Sequence, residues 1–287
     1  MATIVDREDR IIVYLAGQPR TEDSWKKDIS DANRAMGEAA YELRNDFSRG
    51  DVAHRRGKFA NLRVGVTFGG GGKVPSNVGN RTDAQTKAAA MLSRRPSLQR
   101  IAGFASSAFA LAAPRLFGHY YETVEAVCGY NPKLQRPFEK SVFPAATFNL
   151  GPQAVTVKHR DHANIPYGWC AITALGDFDP KLGGHLYLWE LKIVVEFPPG
   201  STVLIPSSII SHGNTPIQKG ETRRSFTQYC AGGLMRWRAY GFRTEETLER
   251  EDPALLASIR AEAEGRWQAA LGYFSKYGEL SKDHASA

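Results

Sequence analysis

Three observations predict an α+β fold with a mainly β core for this 287-residue chain. Short β-branched and aromatic runs crowd residues 141–240, helical periodicity occupies both flanks, and no linker-like stretch divides them. The runs read VFPAATFNL, AVTVKH, CAITALG, HLYLWEL, IVVEFP, STVLIPS and SFTQYCA, punctuated by Gly, Pro and Asn. Strands this short and closely spaced predict an antiparallel sandwich or barrel. The expected organisation is one domain over 1–287: a helical and Gly-rich flank (1–140), the β core (141–240) and a helical C-terminal flank (245–280).

Taken in order, residues 21–47 read as a charged amphipathic helix with cap candidates at Thr21–Ser24. A basic, Gly-rich segment from Arg49 to Asn80 follows, in which Leu62–Phe68 (LRVGVTF) predicts a strand. Arg81 to Tyr130 is Ala-rich helical text, with Pro96 and Pro114 each at a helix start, where the missing N–H is harmless. Helix returns from Glu245 to about Tyr277 with Pro253 at a first helical position, and Ser281–Ala287 are expected to fray.

Composition excludes several classes. Hydrophobic residues are 42% and charged residues 23%, a balance that suits a packed core rather than disorder. The three cysteines (Cys128, Cys170, Cys230) are far apart and form no Cys-x-x-Cys pair, which argues against a disulfide framework and a thiolate zinc site. MATIVDREDR carries no apolar run of signal-peptide length, and Ile101–Ala113 is too short to span a bilayer. An intracellular, reducing location and no membrane partner are expected. The net charge of +7 is compatible with an acidic partner, but the basic residues are dispersed in doublets such as Arg55-Arg56, Arg94-Arg95 and Arg223-Arg224, as on any solvated surface.

The chemistry sits in the β text. His159 and Asp161 are two apart, so an extended chain aims both to one side and Arg160 to the other. His212 follows 51 residues after Asp161, at the end of SIISHGN. Two imidazoles and a carboxylate on one face form the facial triad of non-haem Fe(II) oxygenases, with positions left open for cosubstrate and O2. Eleven residues after His212 comes Arg223, within RRSFTQY. On a strand, Arg223, Ser225 and Thr227 share a face, and an Arg-x-Ser pair supplies the bidentate, charge-assisted contact that the distal carboxylate of 2-oxoglutarate requires. A one-residue shift would exchange Arg223 for Arg224. DFDPKLGGHLYL and FPPGSTVLIP supply the hairpin and strand text between the second and seventh strands of a double-stranded β-helix, a cupin-like jelly roll.

HRDHAN, LGDFDPKLGGHLYLWEL, FPPGSTVLIPSSIISHGNTPI and ETRRSFTQYCAGGLMRW resemble the Tet/JBP-like 2-oxoglutarate- and Fe(II)-dependent dioxygenases, especially their compact fungal branch, over roughly residues 60–245. The resemblance implies oxidation of 5-methylcytosine or thymine in DNA, or of N6-methyladenine as in some relatives. It implies iron on His159, Asp161 and His212, 2-oxoglutarate on Arg223 with Ser225 and Asn149, O2 as oxidant, ascorbate as reductant, and methylated DNA as partner. It places Asn164, the asparagine of H-x-D-x-x-N, against a flipped methylated base, with His162, Tyr167, Trp169 and Asn149 as further candidates for reading it. The Cys-rich zinc-binding half of animal Tet proteins is missing, so DNA would be gripped by the helical and Gly-rich flanks. No protein partner is expected, and a nuclear rather than cytoplasmic location follows from the resemblance alone.

Plainer readings stand beside these. His162 also reads as a polar strand-end residue, and His185 lacks a paired carboxylate and ranks below His212 as a ligand. Gly69–Gly72 with Lys73 fails the phosphate-loop pattern, because Thr67 and Val74 stand where Gly and Ser or Thr are required; it reads as a lid or a surface turn. Arg94–Arg100 reads as a helix end or a phosphate contact, Trp237 as a core residue or a base-stacking one, and Cys170 and Cys230 as small buried hydrophobes. Two other functions use the same fold: hydroxylation of a small molecule or peptide side chain, and a non-catalytic binding module.

Overall fold

The computed structural model describes residues 1–20, 22–262 and 265–286, so the cap candidate Thr21 and the terminal Ala287 lie outside the described residues. Strands β1 (Ala2–Val5) and β2 (Ile11–Gly17) precede helices α1 (Glu22–Glu42) and α2 (Arg49–Val52). Strands β3 (Ala60–Thr67) and β4 (Ser76–Asn77) then lead into α3 (Asp83–Ser93), α4 (Pro96–Ala112) and α5 (Pro114–Tyr130). The central strands are β5 (Ala145–Gly151), β6 (Cys170–Asp177), β7 (Leu186–Leu188), β8 (Ile193–Val195), β9 (Thr202–Ile205), β10 (His212–Asn214) and β11 (Thr222–Tyr229). Helices α6 (Gly232–Ala239), α7 (Glu245–Glu251), α8 (Pro253–Ala261), α9 (Arg266–Leu271) and α10 (Leu280–Ala285) close the chain.

The large antiparallel sheet runs β1-β2-β9-β6-β11-β5-β3-β4, and the small one β10-β7-β8. A bridge from His159 to His212 adds the His159 segment to the edge of the small sheet. Side chains of both sheets, among them Val13, Ala174, Leu186, Leu188, Val203 and Ile205, meet in one apolar cluster, so the sheets face each other as a double-stranded β-helix.

The other face of the large sheet is covered by helices. Phe148, Leu150 and Phe226 alternate with polar neighbours and pack with Leu62 against Trp25, Met36 and Ile101. Phe148 and Phe226 stack at 5.3 Å between ring centroids. Burying such aromatics stabilises by about 2 kcal/mol each. Pro96 and Pro114 stand at the first turns of α4 and α5, as their missing N–H groups predict, and Pro253 does the same in α8.

Several expectations need correction. The first helix ends at Glu42, five residues before Phe47. AVTVKH forms no regular strand; its backbone bonds go to scattered partners, Ala154 N donating to the Arg223 carbonyl and Val157 N to the Arg56 carbonyl. The 245–277 helix is three helices, interrupted first at Asp252, whose side chain caps α8. Ser281–Ala285 are helical rather than frayed, because the buried Asp283 pairs with Arg115 at 2.5 Å. The run IIVYLAG, for which no element was expected, pairs with β9 and extends the large sheet. No described helix is long and apolar enough to cross a membrane.

Candidate active site

His159, Asp161 and His212 converge, with one ligating atom from each lying within 4.8 Å of the others. The small-sheet edge brings them together: His159 N donates to the His212 carbonyl and His212 N to the His159 carbonyl, both at 3.0 Å. Nε2 of each ring lies 3.8 Å from a different oxygen of Asp161. Each Nδ1 lies within hydrogen-bond distance of a carbonyl two residues back, Val157 O at 2.8 Å and Ile210 O at 2.9 Å. A carbonyl only accepts, so Nδ1 carries the proton on both rings and the Nε2 lone pairs face Asp161. Burial and the adjacent His212 push His159 down to about 4, which keeps it neutral and able to ligate.

A brace that the sequence reading missed holds the two ligand segments together. Arg160 donates to Ser211 Oγ at 3.0 Å and to Glu190 at 2.5 Å, and Glu190 accepts from Ser211 N at 2.6 Å. Burial opposes ionisation of Glu190, but hydrogen bonds from Arg160 and Ser211 outweigh it and hold its carboxyl down at about 2. The signal was the alternation itself: Arg160 had to face away from His159, but nothing in the sequence marked Glu190 as its partner.

Further along the same interior, Arg223 is 1% exposed. Gly176 stands opposite it on β6 at φ +132°, where a Cβ would come within 2.2 Å of the Thr222 carbonyl. Arg223 Nη1 donates to the Ala154 carbonyl at 2.5 Å, its Nε has no partner, and no described carboxylate pairs with it. Phe178 and Phe197 lie about 6 Å from the guanidinium, and burial pushes its pKa down to about 10. A buried cation without a counter-charge is costly, so this is a place built for an anion. Beside it, Asn149 Nδ2 donates to Ser225 Oγ at 2.9 Å, which leaves the Ser225 hydroxyl hydrogen free to donate onward; Asn149 Oδ1 is buried without a partner. Arg224 turns to the opposite face and donates to Asn33 of α1 at 2.7 Å. The three donors fit Fe(II), and the unpaired guanidinium fits the distal carboxylate of 2-oxoglutarate. Together they are the side-chain set of a 2-oxoglutarate- and Fe(II)-dependent dioxygenase.

One cavity opens on Asp161, and a second meets it at Ala163 and Asn164. The first, about 690 Å³, is polar, lined by Asp161, Thr147, Thr227, Tyr229 and a rim that includes Arg55, Arg56, Arg63 and Arg81. The second, about 730 Å³, is more apolar, lined by Phe68, Tyr167, Met235, Tyr240 and Trp267 together with His162, Gly69 and Gly70. Asn164 donates inward to Cys170 Sγ at 3.1 Å and Ser207 Oγ at 3.2 Å. Tyr167 stacks on Tyr273 at 5.4 Å, with its hydroxyl 3.1 Å from His119 Nε2. Trp169 lines neither cavity. It is fully buried, because α4 packs Phe109 onto it with ring centroids 5.5 Å apart; its expected part in substrate reading is corrected to a core role. His185 lies outside the metal cluster, its Nδ1 3.1 Å from Thr215 Oγ1. Trp237 belongs to the core, and Cys170 and Cys230 are buried and free.

No family model and no curated protein sequence matches the chain. Among solved structures, NgTET1 in complex with 5mC DNA aligns over 81% of this chain and 76% of its own, at 12% identity and a TM-score of 0.46. A viral collagen prolyl hydroxylase, vCPH from Paramecium Bursaria Chlorella virus-1 in its 2OG complex, aligns over 29% of this chain and 55% of its own, at 14% identity and a TM-score of 0.23.

Proposed function

We propose that this dioxygenase oxidises a methylated base in DNA, 5-methylcytosine before N6-methyladenine, giving 5-hydroxymethylcytosine and further products. The observation that carries the chemistry is the buried, unpaired Arg223 on the same interior as the three donors. Bound iron and 2-oxoglutarate supply oxygen activation coupled to decarboxylation to succinate, with ascorbate as the external reductant. The chain's own residues do the rest. His159 and His212 present neutral Nε2 atoms because the Val157 and Ile210 carbonyls fix their tautomers. Arg223 and Ser225 orient the cosubstrate by its far end, and Phe178 and Phe197 exclude water around that charge pair.

The DNA reading is supported by the basic rim of the polar cavity and by Asn164 at the junction, where a base turned out of the duplex meets a polar group beside the metal. A nuclear location goes with that substrate. The apolar second cavity favours one other reading, hydroxylation of a small molecule or peptide side chain. Nucleoside mass spectrometry of a 5-methylcytosine duplex incubated with protein, Fe(II), 2-oxoglutarate and ascorbate, beside an N6-methyladenine duplex, separates them. Hydroxymethyl-, formyl- or carboxylcytosine is the expected product. Unchanged bases with succinate still accumulating would transfer the chemistry to the small-molecule or peptide substrate.

A further inference from the structure

The sequence doublet Arg55-Arg56 sits in a tight loop tied to the metal-bearing segment. The His54 and Gly57 backbones bond to each other, and Val157 N donates to the Arg56 carbonyl at 2.9 Å. Gly57 has φ +153°, and a Cβ there would stand 2.7 Å from the Val155 carbonyl, so the loop lies hard against residues 155–157. Arg55 is engaged: it donates to the Arg160 carbonyl at 2.8 Å and reaches 3.8 Å from Asp161. Arg81 is engaged too, with Asp51 at 2.8 Å.

Arg56 and Arg63 are different. Both line the polar cavity, Arg56 from this loop and Arg63 from β3, where it stands opposite Thr147. Neither guanidinium has a hydrogen-bond or ion-pair partner among the described residues. Arg56 is half-buried; burial pushes its pKa down, while Asp161 and Tyr229 on the facing walls oppose that shift. Two guanidinium groups without partners, one half-buried and one exposed at the rim, reach from separate elements into a cavity that contains Asp161, and together they offer a receptor for a negatively charged group.

We propose that Arg56 and Arg63 form an anion subsite, distinct from the Arg223 site, that holds a phosphate or carboxylate of the primary substrate while the group to be oxidised lies at the metal centre. The proposal rests on the dioxygenase reading above. Both acceptors share one chemistry, an oxyanion offering lone pairs to planar N–H forks, and the attraction draws charged substrates toward the mouth.

The test uses the full chain, anaerobic, with Fe(II) and 2-oxoglutarate. Inorganic phosphate and acetate serve as probes in titration calorimetry, and the visible Fe(II)·2-oxoglutarate charge-transfer band reports the cosubstrate. Neither arginine side chain makes a bond that Gln would lose, so the double variant Arg56→Gln/Arg63→Gln should fold, and the band confirms it. Saturable binding of a probe to the parent protein, weakened about tenfold or more in the double variant with 2-oxoglutarate affinity held within about twofold, is the expected result. Tighter phosphate assigns the partner group to a phosphate ester, tighter acetate to a carboxylate. Equal binding in both proteins, or none in the parent, overturns the proposal. A tenfold loss of 2-oxoglutarate affinity in the double variant also overturns it, because the pair would then serve the cosubstrate. If no protein gives the band yet probe binding still depends on Arg56 and Arg63, the anion site stands and the dioxygenase reading falls.

Discussion

The two faces of strand β11 carry neighbouring residues into opposite environments. On the inner face Arg223 and Ser225 look into the polar interior with Asn149 of the adjacent strand; on the outer face Arg224 and Phe226 meet the helices, Phe226 stacked on Phe148 and Arg224 bonded to Asn33. The backbone is shared and the register is the same. A period of two alone separates a buried, unpaired cation, proposed above to anchor the cosubstrate, from one that anchors a helix. Inner-face substitutions should therefore change ligand binding with little loss of fold, and outer-face substitutions the reverse.

The largest expected effect is on the outer face. Phe226→Ala should destabilise by about 3–5 kcal/mol, since it removes a 1%-exposed ring from a closed cluster. Chemical denaturation reads that cost, and the affinity for 2-oxoglutarate of the fraction that remains folded should hold. A loss of affinity in that folded fraction would break the separation of the faces. On the inner face, Arg223→Gln should weaken 2-oxoglutarate roughly 10- to 100-fold, the worth of a bidentate charge-assisted pair. The ligand-free protein should keep or gain thermal stability, because an unpaired buried cation disappears. A fall in stability without a change in 2-oxoglutarate affinity would show that Arg223 is structural. Smallest is Arg224→Gln, which should cost about 1 kcal/mol through the lost Asn33 bond and leave 2-oxoglutarate affinity within about twofold. An affinity loss larger than that of Arg223→Gln would exchange the roles of the two arginines.

Much of this was legible in the sequence because it depends on local period. The spacing of His159 and Asp161, the Arg-x-Ser pair and the prolines at the starts of α4, α5 and α8 each follow from two- or four-residue geometry, and the structure holds them where that geometry puts them. What stayed hidden depends on contacts between distant segments. The run IIVYLAG becomes a strand of the large sheet only because β9 offers it an edge. Glu190 braces the metal segments only because residues 160, 190 and 211 meet in space. Trp169 looked available beside Asn164, yet α4 delivers Phe109 to cover it. Arg56 read as one of many surface cations, and only the folding of its loop against residues 155–157 turns it into the cavity.

If the three donors and Arg223 form one iron and 2-oxoglutarate site, an anaerobic titration reads it without any substrate. Adding Fe(II) and then 2-oxoglutarate to the protein should develop a visible metal-to-ligand charge-transfer band that saturates near one equivalent of each. It should be abolished by Asp161→Ala and should need far more 2-oxoglutarate in Arg223→Gln. A protein that gives no band, or one whose band survives Asp161→Ala unchanged, would mean that these residues do not form that site.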